Sequence, residues 1–149
     1  ILESVAPLKL HVDRFLPPLP LRVLVDISEK NISEQLSMVD LQSKVVNEAA
    51  FHMKESPELL RSLFPKLLES AMSYAEKGRE KEIGLASSIA KQALGKEYER
   101  LVELKKVNPN ISDRELEIAE EELRDVLKYI DQAGLRLDAV RLVLNQSSR

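Results

Sequence analysis

The sequence predicts an α+β protein that is mostly α-helical. Apolar residues recur at helical spacing over most of residues 40–138, whereas both ends of the chain are rich in β-forming residues. We therefore expect a long antiparallel helical hairpin, a shorter helix, and a small β-sheet built from the N- and C-terminal segments. Residues 1–149 are predicted to form one domain, with strands within 1–26, helices over 40–138 and a final strand over 139–145.

The first 26 residues predict two or three short strands. Residues 1–6 are mostly apolar, and residues 8–12 alternate apolar with polar side chains, as a half-buried strand does. Residues 21–26 are again β-rich and run into side chains that favour a turn, namely Asp26, Ser28 and Asn31. Residues 1–6, 21–26 and 139–145 are therefore candidates for one small sheet.

Between these segments lies the proline-rich stretch Pro17-Pro18-Leu19-Pro20. Proline lacks a backbone N–H and fixes φ, so three prolines in four positions exclude a helix and a central strand. We interpret the stretch as an extended connector. The alternative is a polyproline ligand for an aromatic groove.

The helical part of the chain contains recognisable starts and interruptions. A first helix is predicted over 40–54, and Ser56-Pro57-Glu58 is typical of the start of a second one. Pro65 lies inside the second apolar stripe and is expected to kink or break that helix. The charged residues 76–82 interrupt the stripe, as either a solvated turn of helix or a short joint.

The two arms of the predicted hairpin are separated by a short joint. The first arm is expected to end at Val107, two residues before Pro109, and Ser112 with Glu115 predicts a capping box that opens the second arm. A joint this short makes the two helices antiparallel neighbours. The apolar stripe of the second arm continues to Leu137, which places its end near Asp138.

The two arms carry opposite charge. Residues 76–106 contain eight Lys or Arg and six Asp or Glu, whereas residues 113–131 contain three Lys or Arg and eight Asp or Glu. Complementary flanks of this kind suit an antiparallel pair of helices. The alternative is that both faces are ordinary solvated surfaces whose ion pairs contribute a few tenths of a kcal/mol each.

Composition excludes several classes of site. The chain has no cysteine, which excludes disulfides, zinc ribbons, iron–sulfur centres and thiol nucleophiles. A pI near 5.5 and six scattered aromatic residues argue against direct nucleic-acid binding. The sequence contains no run of about 18 apolar residues, so no membrane-spanning helix is predicted. Since the chain begins at Ile1 without a signal-peptide pattern, we expect an intracellular domain of a longer protein.

Three local patterns resemble parts of functional sites, and none is predicted to be one. Glu48 and His52 lie one helical turn apart, but a metal site needs further ligands. The Gly95-Lys96 pair resembles the end of a phosphate loop but lacks the other residues of that motif. The glutamates at 120–122 are typical of a solvated helix face. We therefore predict no catalytic, cofactor-binding or metal-binding residues in this chain.

Three blocks of sequence together resemble a known family. The first block contains Ser4-Val5-Ala6-Pro7, Arg14-Phe15-Leu16-Pro17-Pro18 and Pro20-Leu21-Arg22-Val23-Leu24-Val25-Asp26; the second is Val107-Asn108-Pro109-Asn110-Ile111 with Glu115-Leu116; the third runs from Asp131 to Leu142. In this order and spacing they resemble the C-terminal domain of the RapA (HepA) family of bacterial RNA polymerase-associated proteins, which are Swi2/Snf2-type ATPases. Residues Asn145 to Arg149 depart from the apolar ending of that family.

The resemblance implies a non-catalytic C-terminal module of a cytoplasmic, ATP-dependent transcription regulator that releases and recycles stalled RNA polymerase. It implies core RNA polymerase and the parent's ATPase lobes as partners. The resemblance also implies that DNA, ATP and Mg²⁺ are bound by the parent outside this chain, and none of the family's catalytic residues maps onto these 149 residues.

Two other functions were weighed beside this one. A helical-hairpin interaction domain unrelated to transcription would explain the long amphipathic helices equally well. A stand-alone enzyme would depend on the carboxylates and His52 alone.

Overall fold

Two α-helices of unequal length make up most of the structure. The computed structural model describes residues 1–44 and 57–143 of the chain. The mostly helical α+β class predicted from the sequence is confirmed. The elements in chain order are strand β1 (Leu2–Glu3), two 3₁₀ turns (Leu8–Leu10 and Val12–Arg14), and then α1 (Met38–Lys44), α2 (Pro57–Val107), α3 (Asp113–Asp131) and strand β2 (Gly134–Leu135).

The residues group into two compact units. The first contains Ile1–Leu21 and Gly78–Arg136, and the second contains Arg22–Lys77 and Leu137–Arg149. The first unit holds both strands, both 3₁₀ turns, the later part of α2 and all of α3. The assignment of residues 1–149 to one domain stays a prediction.

The long helix α2 is continuous over 51 residues, through Pro65 and through the charged residues 76–82. Of the two predicted effects of Pro65, a break is therefore wrong, and a kink stays a prediction. A proline removes one i→i−4 hydrogen bond, here the one to the carbonyl of Arg61, and the turns on either side keep theirs. The charged stretch is helical because its glutamates and lysines are good helix formers, with Gly78 the one weak residue.

The joint between α2 and α3 forms as the sequence predicts. Helix α2 ends at Val107, and the Ser112 side chain accepts a hydrogen bond from the Glu115 amide at 3.3 Å. In return the Glu115 carboxylate accepts one from the Ser112 amide at 2.7 Å, which completes the capping box. The start of α3 is fixed because two free amides of its first turn gain side-chain partners.

The two long helices are antiparallel, as expected. Near the joint, Lys105 of α2 pairs with Asp113 of α3. At the other end of α3, Arg79 of α2 donates a hydrogen bond to the carbonyl of Ala133. The end of α2 thus contacts the start of α3, and an earlier part of α2 contacts the end of α3. Contacts in this order define an antiparallel hairpin.

The C-terminal boundaries differ from the sequence prediction. Helix α3 ends at Asp131, not near Asp138, and the strand that follows is Gly134–Leu135. Leu135 pairs with Leu2 in the sheet, and Leu137, the last residue of the predicted stripe, is 61% exposed beyond that strand, so its helical spacing is a coincidence. The predicted final strand over 139–145 is wrong over 139–143, which are exposed and non-regular, and its last two residues lie outside the described residues.

The N-terminal segment also differs from the prediction in part. Strand β1 lies within residues 1–6, as expected, and pairs antiparallel with β2. The alternating residues 8–12, however, form 3₁₀ turns on either side of His11, which has a left-handed φ of 46°. This bend turns both Leu10 and Val12 into the core, which produces the period-2 pattern without a strand.

Residues 21–26 form no regular strand, and Val25, in the second unit, makes a single antiparallel bridge to Asn31. The predicted turn after them is confirmed. The Asp26 carboxylate accepts hydrogen bonds from the amides of Ser28 at 2.8 Å and Lys30 at 3.0 Å. These bonds satisfy the turn locally, so one bridge is enough to close it.

Helix α1 confirms helical structure at the start of the predicted helix 40–54. It begins at Met38, two residues before the predicted start, and is described as far as Lys44. The Asp40 amide is capped by the Ser37 hydroxyl at 3.1 Å, which explains the earlier start. The rest of the predicted helix lies outside the described residues.

The core of the first unit lies where the hairpin meets the N-terminal segment. Two alanines and a leucine of α2, a valine and an isoleucine of α3, and leucines and a valine of the N-terminal segment form one buried cluster. The buried apolar residues are Leu2, Leu10, Val12, Leu16, Ala86, Ala90, Leu94, Val126, Ile130 and Ala133. Every one of them belongs to the first unit.

We expect Ile130→Ala to lower the free energy of unfolding by about 2–5 kcal/mol, because Ile130 is fully buried and its truncation leaves a cavity. The measurement is urea denaturation followed by circular dichroism. Ile89→Ala is the matched control, since the Ile89 side chain is 55% exposed on α2 and its truncation creates no cavity. Equal effects of the two changes would contradict this account of the core.

Candidate interaction surface

The arms of the hairpin are joined at their base by one arginine. Arg79 of α2 donates a hydrogen bond from Nε to the Ala133 carbonyl at 2.7 Å and another from Nη2 to the Asp131 carbonyl at 3.1 Å. The last carbonyls of a helix lack partners within the helix and form its negative dipole end. The Arg79 guanidinium satisfies the Asp131 carbonyl at the end of α3 and the Ala133 carbonyl two residues beyond it, and so stabilises this end of the helix.

The role of Arg79 is missing from the sequence prediction, which grouped it with the charged residues 76–82. One pattern does indicate it. Arg79 precedes the buried residues Ala86 and Ala90 by 7 and 11 positions, which places it on the same face of α2. A cation on the buried face, at the level where the antiparallel partner ends, is expected to contact the carbonyl end of that partner.

A shallow groove of about 370 Å³ lies beside the two strands, lined by residues of β1 and β2 and by their neighbours in the chain. Three of its four polar side chains, those of Glu3, Ser4 and Arg136, already have partners within the protein. Arg136 pairs with Glu3 at 2.9 Å, and the Ser4 hydroxyl donates a hydrogen bond to the Tyr129 carbonyl at 2.8 Å. These contacts hold the N-terminal strand against the end of the hairpin, so the groove is explained by the packing of the sheet.

The part of the hairpin farthest from the core has a different character. We call residues 95–122 the hairpin tip; none of them is buried. Three large apolar side chains are prominent on it, because Leu104 is 39%, Val107 80% and Ile118 52% exposed. The tip therefore presents apolar surface that the described residues do not cover.

Charge in the tip is concentrated on α3. Residues 113–122 contain six acidic residues and one basic residue, a net charge of −5, whereas residues 95–107 of α2 contain three acidic and four basic residues. Of the predicted complementary charges, the Lys105–Asp113 pair is the one that joins the two helices in the described residues. The acidic excess therefore faces solvent.

The other patterns found in the sequence are placed as follows. Gly95 and Lys96 lie inside α2, where the backbone is helical and forms no phosphate loop. Residues 120–122 lie on the exposed surface of α3. Glu48 and His52 lie outside the described residues, so their proposed pairing stays untested. Within residues 1–44 and 57–143, no cluster of three or more metal-ligating side chains occurs.

The proline-rich connector pairs with the N-terminal strand. Leu2 and Leu19 exchange two backbone hydrogen bonds, at 2.8 and 2.9 Å. These bonds commit the backbone of Leu19 to the fold, while Pro17, Pro18 and Pro20 are exposed. The interpretation as a connector is favoured over that of a polyproline ligand, because a ligand segment would need its backbone free.

In the part of the chain that the structure describes, no helix combines the length and the apolar character needed to cross a bilayer.

Comparison with known proteins gives a consistent result. A family model described as the C-terminal domain of the RNA polymerase recycling family matches residues 1–145. The chain is 33% identical over 147 residues to the RNA polymerase-associated protein RapA of Proteus mirabilis (strain HI4320), and 35% identical over 147 residues to that of Yersinia pestis (strain Pestoides F). Each alignment covers 97% of this chain, which spans about 15% of the length of these relatives.

We expect Arg79→Ala to lower the free energy of unfolding by about 1–3 kcal/mol, because two carbonyls at the end of α3 lose a charged donor. Arg79→Lys should recover part of that loss, since lysine keeps the charge but cannot donate in the same fork. The measurement is urea denaturation of each variant. Arg100→Ala on the exposed surface of α2 is the control, and a loss there as large as that of Arg79→Ala would contradict the assignment.

Proposed function

The chain belongs to the RNA polymerase recycling family, as its C-terminal domain, and on this basis we propose that it is the non-catalytic C-terminal module of a larger RNA polymerase-associated ATPase. The whole protein would use ATP hydrolysis to release stalled polymerase for reuse. Within it, the module would pack on the ATPase lobes or help to dock core RNA polymerase. The family match over residues 1–145 carries the proposal.

This chain matches only a small part of the length of its relatives, which supports a module whose parent protein carries out its chemistry in other domains. With 15% of their length matched, 85% is available for a motor. ATP, Mg²⁺ and DNA would be bound in that remaining part, and the protein would act in the cytoplasm, where transcription takes place. The cations Arg79, Lys105 and Arg136 of this chain are engaged in contacts that hold its own fold.

A hairpin domain unrelated to transcription is less well supported than it was from the sequence alone. The family model covers the hairpin together with both strands, not the amphipathic helices by themselves. Since generic helical pairs share periodicity but not the sequence of the flanking strands, the match favours the polymerase-associated module.

Removal of residues 1–149 from the full-length protein tests this proposal. We expect weaker retention of core RNA polymerase in a pull-down and fewer transcripts per polymerase in a multiple-round assay. If the module docks polymerase, ATP hydrolysis by the truncated protein in the absence of polymerase should persist. If the module packs on the lobes, that hydrolysis should fall as well.

A chimaera provides the matched control. Replacement of residues 1–145 by the equivalent segment of the Yersinia pestis relative, which is 35% identical, should restore retention and recycling. Retention, recycling and hydrolysis that all remain at the full-length level after the deletion would refute the proposal.

A further inference from the structure

The hairpin tip carries an apolar side chain inside an acidic surface, and none of residues 95–122 is buried. We propose that this surface, centred on Ile118 of α3, docks onto a basic patch of core RNA polymerase and inserts Ile118 into an apolar recess there. The inference rests on the proposed function, because it names the contact through which the module would reach the polymerase.

Ile118 is the apolar centre of this surface. Its side chain is 52% exposed, and the helix places residues 114, 115, 121 and 122 around it, three and four positions away. Three of these neighbours are glutamates and one is arginine. We call these five residues the Ile118 patch. A partly exposed apolar side chain ringed by charge has the make-up of a small interface, with an apolar centre and a polar rim.

The structural roles of the nearby acidic residues account for part of the charge. Asp113 pairs with Lys105, Glu115 completes the capping box, and Glu121 lies 3.9 Å from Arg124 in an exposed pair. Glu117, Glu120 and Glu122 make no ion pair within the part of the chain that is described. The helix dipole favours acidic residues only in the first turn, and these three glutamates lie beyond it. Their charges contribute nothing that the fold requires.

The sign of this charge selects the partner. A phosphate backbone would be repelled by residues 113–122, which carry a net charge of −5, so nucleic acid is a poor occupant. A basic protein surface would be attracted over a distance of about one Debye length, roughly 8 Å at physiological ionic strength. The patch therefore fits a cationic surface with room for one branched apolar side chain.

The same charge favours a separate molecule over the ATPase lobes of the parent chain. Complementary charge mainly speeds the encounter of two diffusing molecules and fixes their orientation. A module covalently attached to the lobes gains little from faster encounter. A polymerase that has to be captured and then released gains most from an interface with steering charges and one small apolar anchor.

The test uses the full-length protein and two variants of the Ile118 patch. Ile118→Gln keeps a good helix former and removes the apolar anchor, so the affinity for core RNA polymerase should fall about tenfold, mainly through faster dissociation. The double variant Glu121→Gln and Glu122→Gln should slow association about threefold at low salt and flatten its dependence on ionic strength. Surface plasmon resonance at several salt concentrations measures both rates.

Matched controls separate these effects from general surface changes. Leu85→Gln removes an apolar side chain that is also 52% exposed, but on α2 outside the tip. Glu69→Gln with Glu80→Gln removes two exposed glutamates of α2. Both controls should keep the parental affinity and rates, and all variants should unfold within about 1 °C of the parent.

The outcomes separate this inference from the proposed function. If deletion of the module weakens polymerase binding but Ile118→Gln binds as tightly as Leu85→Gln, the docking surface is wrong and the module proposal survives. Cross-linking of position 118 to the ATPase lobes rather than to polymerase would also overturn the inference. A loss confined to the patch variants, with the controls intact, supports it.

Discussion

The geometry of the first unit depends on the two hydrogen bonds that Arg79 donates to backbone carbonyls at the end of α3. They fix where α3 ends against α2, at Asp131 and Ala133. Two residues later Leu135 must meet Leu2, so the position of the sheet follows from the position of that helix end. Because a guanidinium donates in a rigid fork, it sets both the distance and the orientation of the two chains it joins.

Two small residues of α2 take part in the core beside these hydrogen bonds. Ala86 and Ala90 of α2 are buried in the same cluster as the larger Val126 and Ile130 of α3. Alanines on one helix and branched residues on the other let side chains interlock without the backbones being pushed apart. Ala133, whose carbonyl Arg79 binds, belongs to the same cluster, so the packing of the core and the polar contact at its base constrain each other.

The sequence predicted the features that depend on local chemistry and missed those that depend on distant partners. The capping box at Ser112 and the turn at Asp26 follow from side chains a few residues apart, and both are confirmed. The end of α3 and the strand Gly134–Leu135 depend on Leu2, more than 130 positions away, which no local pattern contains. The period-2 pattern at residues 8–12 misled for the same reason, since the bend at His11 directs both Leu10 and Val12 into a core formed by other segments.

The same division applies to function. The hairpin is ordered from its base, where the core, Arg79 and the sheet lie, and from the capped joint at Ser112. The tip between them has no buried residue of its own, so the identities of its exposed side chains are not constrained by packing. Leu85 and Ile89 of α2 are as exposed as Ile118, so exposure alone does not single out position 118. What distinguishes Ile118 is its place among Glu117, Glu120 and Glu122, which make no ion pair in the described residues, and an apolar side chain in such a setting suits a surface that meets another molecule.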